Sequence, residues 1–369
     1  MNNQTPQQPD DTTTQRSLEA LGYDGFFDLQ WTASGFKDFL AARVIAEHKE
    51  AYTVITAHGE FLAKITGKQM FHATQRADYP AVGDWVAITM FDKDRAVIHH
   101  ILPRKTILRK KYSNKQDTQI IATNIDIAFI VESLDRDFNL NRLERYLVLA
   151  NEGGIKPVIV VNKTDLVSEA ELQRRVEEIK NRFGRIDSIP TSIVTDSGLD
   201  KLIHYIGAGK THCFLGSSGV GKSSLINKLL KSSNIKTREI SDFTGRGKHT
   251  TTSREMYFLE NGGIVIDNPG TREVGIADAG AGIEQVFNEI ALLARDCKYA
   301  DCRHIHEPGC AVVKAIEEGR LDQAHYQNYI KLKKENEFYE MTDSERRAKD
   351  KKFGKFIKKA KDQLKEFKP

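Results

Sequence analysis

Between Ala42 and Lys111 the apolar residues fall in short β-branched runs: ARVIAEH, AYTVITAHG, EFLAKITG, DWVAITMF and AVIHHIL. Gly59, Gly67 and the Pro80–Gly83 stretch separate them at regular intervals. Alternation of this kind, broken by turn residues, predicts five strands closing a small barrel of OB type. From Thr118 to about Ile276 the pattern changes to strands alternating with helices. Ile125–Val131 and Pro157–Val161 are continuous apolar runs, the signature of parallel strands buried on both faces. Ser168–Phe183 is amphipathic, with Ser168 as N-cap and Glu171 three residues on. His212–Leu215 and Gly263–Ile266 read as further strands, and a helix is predicted from Lys222. The whole segment predicts a doubly wound α/β sheet.

The ends of the chain have other textures. Residues 1–17 are rich in Gln, Thr and Asp and are expected to be disordered. Residues 18–40 carry enough aromatics to pack as a short helical segment. Beyond Gly282 the pattern predicts a helix, a Cys/His cluster, a second helix from Ala311 and a Lys-rich tail. The expectation is a multidomain α/β protein: an extension over 1–40, a barrel over 41–115, a nucleotide domain over 116–280 and a metal-binding, basic helical domain over 281–369.

Composition narrows the class. At 369 residues the chain is too long for one ordinary core. It is 40% hydrophobic and 29% charged, without an apolar stretch able to span a bilayer and with a polar start unlike a signal peptide. No membrane association and a cytoplasmic location are expected. The net charge of +4 permits a nucleic-acid partner without requiring one. Of four cysteines, three lie close together near a histidine, which favours a metal site over a disulfide framework.

Two motifs carry the chemistry, and their order is unusual. Asn162-Lys163-Thr164-Asp165 follows the apolar run PVIVV and matches the guanine box NKxD. Gly216-Ser217-Ser218-Gly219-Val220-Gly221-Lys222-Ser223 matches the phosphate loop GxxxxGK[ST] and comes later in the chain, with Ser224 as a further candidate nucleotide-binding residue. GTPases ordinarily carry the phosphate loop first, so the inversion predicts a circular permutation. The glycines let backbone N–H groups close around phosphate oxygens. Lys222 is expected at the β and γ phosphates and Ser223 on Mg²⁺. Asp165 is the candidate partner of guanine N1 and N2, and adenine lacks those donors. Asn162 either addresses O6 or holds the loop, and the Lys163 stem covers the base face. Asp267-Asn268-Pro269-Gly270 matches DxxG, with Asp267 on Mg²⁺ through water and Gly270 at the γ phosphate. Between these boxes lies Gly245–Thr252, a basic, Thr-rich candidate first switch in which either Thr250 or Thr251 is the second Mg²⁺ ligand. Ser192 stands where a fifth box belongs. The residue after DxxG is Thr271, not a water-orienting Gln, which makes His249 the candidate hydrolytic group. A contact to RNA or packing of the switch is the competing role for His249.

Cys297, Cys302, His304 and Cys310 form a Cys₃His set, a closed donor set for one structural Zn²⁺, with His306 as rival to His304. Cys213 reads as a plain core residue.

With these pieces in hand the chain resembles the ribosome-small-subunit-dependent GTPase A family of bacteria. The matching segments are DYPAVGDWV (78–86), RLERYL (142–147), VVNKTDL (160–166), GSSGVGKSSLIN (216–227), GRGKHTTT (245–252), DNPGTREVG (267–275) and CKYADCRHIHEPGCAV (297–312). The resemblance implies an OB barrel, a permuted GTPase domain and a zinc domain. It also implies GTP hydrolysis to GDP and phosphate, stimulated by the small ribosomal subunit during that particle's late maturation, with His249 as the hydrolytic histidine. The expected partners are the small subunit and its rRNA, with the protein a monomer. Arg104, Lys105, Arg109, Lys110 and Lys111, and the stretch from Arg346 to Lys368, are candidate RNA-phosphate contacts. A competing reading is an RNA-binding zinc scaffold in which GTP is mainly a structural ligand.

Overall fold

The computed structural model describes residues 16–111, 118–135, 138–184, 186–232, 254–267, 278–342 and parts of 344–357. The polar leader, the candidate switch 245–252 with His249, Thr250 and Thr251, residues Asn268, Gly270 and Thr271, and most of the basic tail lie outside them. The chain forms two compact units: Met1–Arg109, Gln119–Phe138 and Gly153–Glu273 in the first, and Lys110–Thr118, Asn139–Glu152 and Val274–Pro369 in the second.

The first unit opens with a short 3₁₀ turn (Glu19–Leu21) and helix α1 (Gly25–Ser34). Asp24 caps α1 by accepting from Phe26 N, and Gly35 closes it in the left-handed region at φ 66°. Strands β1 (Leu40–Glu47), β2 (Tyr52–Thr56) and β3 (Gly59–Ile65), helix α2 (Gly67–His72), β4 (Trp85–Met90) and β5 (Arg95–Ile101) follow. They pair in the order β1-β2-β3-β5-β4, and β4 returns to β1, so the five strands close. Closure follows from alternation: Ala42, Val44, Val54, Phe61, Ala63, Val86, Ile88, Ala96 and Ile98 all point inward and form one core. All five barrel runs read from the sequence are strands.

Strands β6 (Ile107–Lys111) and β7 (Thr118–Thr123) pair as a two-stranded ribbon. The nucleotide sheet then takes β8 (Ile127–Ser133), β9 (Lys156–Asn162), β10 (Ser188–Pro190), β11 (Thr211–Leu215), β12 (Glu255–Phe258) and β13 (Ile264–Asp267). Their order is β10-β9-β8-β11-β13-β12, all parallel except β12. Helix α3 (Leu140–Glu152) lies in sequence between β8 and β9. Helix α4 (Glu169–Phe183) is capped by Ser168, which accepts from Glu171 N, as the sequence predicts. Helices α5 (Leu199–Tyr205) and α6 (Lys222–Ser232), with Ile206 directly after α5, put Leu202, Ile206, Leu225, Ile226 and Leu229 against Phe129, Val131, Val158, Val160 and Phe214 of the sheet.

Barrel and nucleotide sheet are continuous, because β12 pairs with β1 at Ala46↔Glu255 as well as with β13. A buried polar joint reinforces this contact. Arg43 of β1, 1% exposed, donates to Thr211 Oγ1 at 2.8 Å, to the carbonyl of Asn124 at 3.3 Å and to that of Leu21. Burial pulls its pKa down to about 10, opposed by Asp126, Asp84 and Asp24. Asp84 accepts from Arg104 at 2.7 and 2.8 Å and from Thr123 Oγ1 at 2.7 Å. Gly83, at φ 100°, leaves no room for a Cβ, which would stand 2.1 Å from the Thr123 carbonyl. The DYPAVGDWV segment is therefore the joint itself. Arg104, proposed from the sequence as a phosphate contact, is instead an internal strut: it also donates to the Ala77 and Tyr79 carbonyls. Lys105 is paired with Asp24 at 2.6 Å.

The second unit contains α3, α7 (Gly280–Val286), α8 (Asn288–Ala294), α9 (Ala311–Glu317) and α10 (Gln323–Glu340). The RLERYL segment lies on α3 and supplies its fastenings. Glu144, fully buried, meets His325 Nδ1 at 2.5 Å and accepts from Asn328, while Arg145 pairs with Glu335 at 2.6 Å. Phe287 stacks on His325 with ring centroids 4.6 Å apart. No helix among the described residues is long and apolar enough to cross a membrane.

Candidate functional site

The loops that carry the nucleotide motifs all leave the carboxyl ends of parallel strands. The guanine box follows β9, the Ser192 loop follows β10, the phosphate loop follows β11, and Asp267 ends β13. Crevices at such strand ends, beside a point where strand order reverses, are where open α/β sheets bind ligands. Here the reversal falls at β8 and β11, which are adjacent in the sheet although far apart in the chain.

The phosphate loop is shaped by its glycines. Gly216, Gly219 and Gly221 hold φ values of 147°, 83° and 102°. A Cβ at Gly216 would stand 2.3 Å from the Val131 carbonyl, and one at Gly221 would stand 2.2 Å from Asn162 Nδ2. Lys222 Nζ folds onto the loop, donating to the carbonyls of Gly216 at 2.7 Å and Ser217 at 2.6 Å. Val220 is buried, whereas Ser218, Gly219, Ser223 and Ser224 face solvent. The loop opens directly into the amino end of α6, where unpaired N–H groups favour an anion.

Two hydrogen-bonded ties join the loops. Asn162, fully buried, donates from Nδ2 to the Val220 carbonyl at 2.8 Å and accepts at Oδ1 from Thr191 Oγ1 at 3.1 Å. Of the two roles the sequence left open for Asn162, the geometry shows the holding one. Ser192 Oγ donates to Asp165 Oδ1 at 2.5 Å and accepts from the N–H groups of Val194 and Thr195. The Asp165 carboxylate is thus held through one of its oxygens. Lys163 sits in the left-handed region at φ 61° and pairs with Asp135 at 2.9 Å. Thr191 and Asp135 were not legible as site residues; the only signal was their position one and two residues after strands β10 and β8.

The Cys₃His set converges in the second unit. The ligand atoms of Cys297, Cys302, His304 and Cys310 lie within 4.8 Å of one another. His304 Nδ1 is 3.5 Å from both Cys297 Sγ and Cys310 Sγ, and those two sulfurs are 3.9 Å apart. A tetrahedral ion with bonds of about 2.0–2.3 Å requires edges of roughly 3.5–3.8 Å, so the residues fit a four-coordinate metal ion. Burial pushes the Cys302 thiol up to about 11, helped by the Cys310 and Cys297 thiols, a crowding that a cation would relieve. His304 is held by φ 62° and by its carbonyl accepting from Tyr326, whereas His306 is exposed and outside the cluster. Glu307 orders the intervening loop by accepting from the N–H groups of Arg303, Ile305 and His306. Cys213 is fully buried in β11, where burial pushes its thiol up to about 12, consistent with core packing.

Taken from β11 onward, with β8–β10 moved to the end, the sheet has its phosphate loop after the first strand, DxxG after the third and NKxD after the fifth. That arrangement defines a circularly permuted GTPase. A family model described as RsgA GTPase matches residues 101–277. A small ribosomal subunit biogenesis GTPase RsgA 1 of Bacteroides thetaiotaomicron is 40% identical over 94% of this chain and 97% of that protein. The crystal structure of YjeQ from Thermotoga maritima matches with a TM-score of 0.59 at 28% identity, over 80% of this chain and 97% of that one. YloQ, described as a circularly permuted GTPase, shares the fold with a TM-score of 0.58 at 22% identity, over 83% and 98%. The chain belongs to the RsgA GTPase family.

Proposed function

We propose that this protein hydrolyses GTP to GDP and phosphate in response to the small ribosomal subunit, and acts in the late maturation of that particle in the cytoplasm. The observation that carries the reading is the pair of ties, Asn162 to Val220 and Ser192 to Asp165, which brace a phosphate loop and a guanine-directed carboxylate against each other. The relatives' names, as small ribosomal subunit biogenesis GTPases, support the choice of particle.

In this reading Asp165 selects guanine, with Asn162, Lys163 and Ser192 framing the base. The N–H groups of residues 216–224 and the Lys222 ammonium hold the phosphates. Ser223 and one of Thr250 and Thr251 would hold Mg²⁺, with Asp267 acting through water and Gly270 at the γ phosphate, and the ion would supply positive charge to offset that developing during transfer. His249 orients or deprotonates the attacking water. Zn²⁺ occupies the Cys297, Cys302, His304 and Cys310 set as a structural ion. The barrel of 41–115 contacts rRNA, the segment 116–280 works as the GTPase domain and 281–369 as the metal-binding domain, all in a monomer.

The test is steady-state GTP hydrolysis alone and with purified small or large subunits, for the parent and His249→Ala. Stimulation by small subunits only, lost in the variant while GTP still binds, is expected. Equal turnover with and without either particle would overturn the reading and leave a scaffold with GTP as a structural ligand.

A further inference from the structure

Between the barrel and strand β7 of the ribbon lies a cavity of about 210 Å³ that the nucleotide site does not use. It is lined by Tyr52, Tyr79 and Pro80, together with Glu47 and the exposed Lys49 and Arg76. The size is informative. It exceeds the ~150 Å³ that holds a benzene ring and falls short of the roughly 300–1,000 Å³ typical of pockets for whole drug-sized ligands. One planar aromatic group fits, and a nucleoside triphosphate does not. Stacking on tyrosine faces is tolerant of which base is bound, and exposed cations suit a phosphate backbone that remains outside. Burial pushes the Tyr52 phenol up to about 12, so this wall stays neutral and able to donate at physiological pH.

The cavity is also connected to the nucleotide machinery. Glu47 pairs with Arg254 Nη1 at 3.4 Å, and the same nitrogen donates to the carbonyl of Ile120, another lining residue. Arg254 follows the candidate first switch by two residues in the chain. One position along each strand, Ala46 pairs with Glu255, and Glu255 pairs with Asp267. The row Ala46–Glu255–Asp267, one position away from the Glu47–Arg254 pair beside the cavity, therefore crosses three hydrogen-bonded strands and ends at the DxxG aspartate.

We propose that this cavity receives one unpaired base of an RNA strand, its phosphate held by Lys49 and Arg76, and that Glu47 and Arg254 couple its occupancy to the nucleotide state. The proposal rests on the reading that the chain works on ribosomal RNA. Coupling of this kind is reciprocal: if RNA in the cavity favours one nucleotide state, that state binds RNA more tightly by the same factor.

The experiment measures binding of a short fluorescent single-stranded RNA to the full chain, loaded with GDP or with a non-hydrolysable GTP analogue. Duplex RNA and free nucleoside monophosphates serve as competitors. Loss of one stacked base is expected to weaken binding about tenfold in Tyr79→Leu, and Arg76→Ala should weaken it with a shallower salt dependence. Neither competitor should displace the strand at matched concentration. Glu47→Gln should keep RNA binding but abolish the affinity difference between the two loaded states. Unchanged affinity in both Tyr79→Leu and Arg76→Ala would overturn the base site, and displacement by a nucleoside monophosphate would make it a free-nucleotide site instead. No state difference in the parent, or one that survives in Glu47→Gln, would overturn the coupling. If Tyr79→Leu lowers the melting temperature, Arg76→Ala decides, since that side chain is exposed. Small-subunit stimulation intact in cavity variants that bind RNA normally would sink this proposal alone; its absence in the parent would sink the broader reading.

Discussion

On the proposed reading, one hydroxyl, that of Ser192, acts on base selection without touching the base. It accepts two backbone N–H groups, which fixes its rotamer, and spends its own proton on Asp165 Oδ1 at 2.5 Å. A carboxylate held on one oxygen presents the other at a set angle. In Ser192→Ala both the aim and the acceptor shared by two N–H groups are lost, at about 1–2 kcal/mol. Guanine-nucleotide affinity should fall roughly five- to thirty-fold, with the fold intact. Inosine nucleotides, which offer Asp165 one N–H instead of two, should lose less. Titration of fluorescent guanosine and inosine diphosphates into parent and variant checks this, and equal losses for the two bases would refute the aiming role.

Between elements, the stress falls on the joint of Arg43, Gly83, Asp84 and Arg104. Gly83→Ala combines a left-handed φ of 100° with a Cβ 2.1 Å from a carbonyl oxygen that cannot swing away. The variant is expected to lose about 2–4 kcal/mol, read as a lower denaturant midpoint. A change below about 0.5 kcal/mol would show that the joint yields more readily than its packing implies. This is also where sequence reading reached its limit. The barrel strands, the Ser168 cap and the buried parallel strands were legible because each is written in a local period or a cap three residues long. The β1–β12 contact was not, since a single bridge joins residues more than two hundred positions apart. Arg43 sits in the run ARVIAEH with nothing local to mark it as buried, and Arg104 looked like any surface cation until Asp84 was placed beside it. The nucleotide motifs were legible because loop chemistry demands particular residue types. The partners that brace them, Thr191 and Asp135, were not, since hydroxyls and carboxylates after strands are ordinary. RLERYL was visible as a segment, but its fastening of α10 through Glu144 and Arg145 needed the second unit's coordinates.

At the scale of the molecule, the second unit is predicted to depend on a metal ion in its Cys₃His cluster. Cys310 is both a member of the Cys₃His set and the N-cap of α9, its sulfur accepting from Val313 N at 3.4 Å. Structural ions of this type contribute on the order of 10–16 kcal/mol of apparent binding free energy to small modules. Chelation, or Cys302→Ser, should therefore remove stoichiometric metal and erase amide-exchange protection over α9. Hydrogen exchange with parallel metal analysis measures both. Protection of α9 that persists after complete metal loss would show the unit to be held by its α3 and α10 packing alone.

The permuted order of strands also imposes a timetable on synthesis. Strand β8 is complete at Ser133, but its neighbour β11 begins at Thr211 and the DxxG strand ends at Asp267. At about 5–20 residues per second, the ribosome needs several to some tens of seconds to supply them. During that interval β8, β9 and β10 can assemble with the guanine box, while one long edge of β8 remains without its partner and open to pairing with another chain. On the proposed assignment, the half of the site that reads the base is thus made first, and the half that grips phosphate arrives as the wedge that closes the sheet.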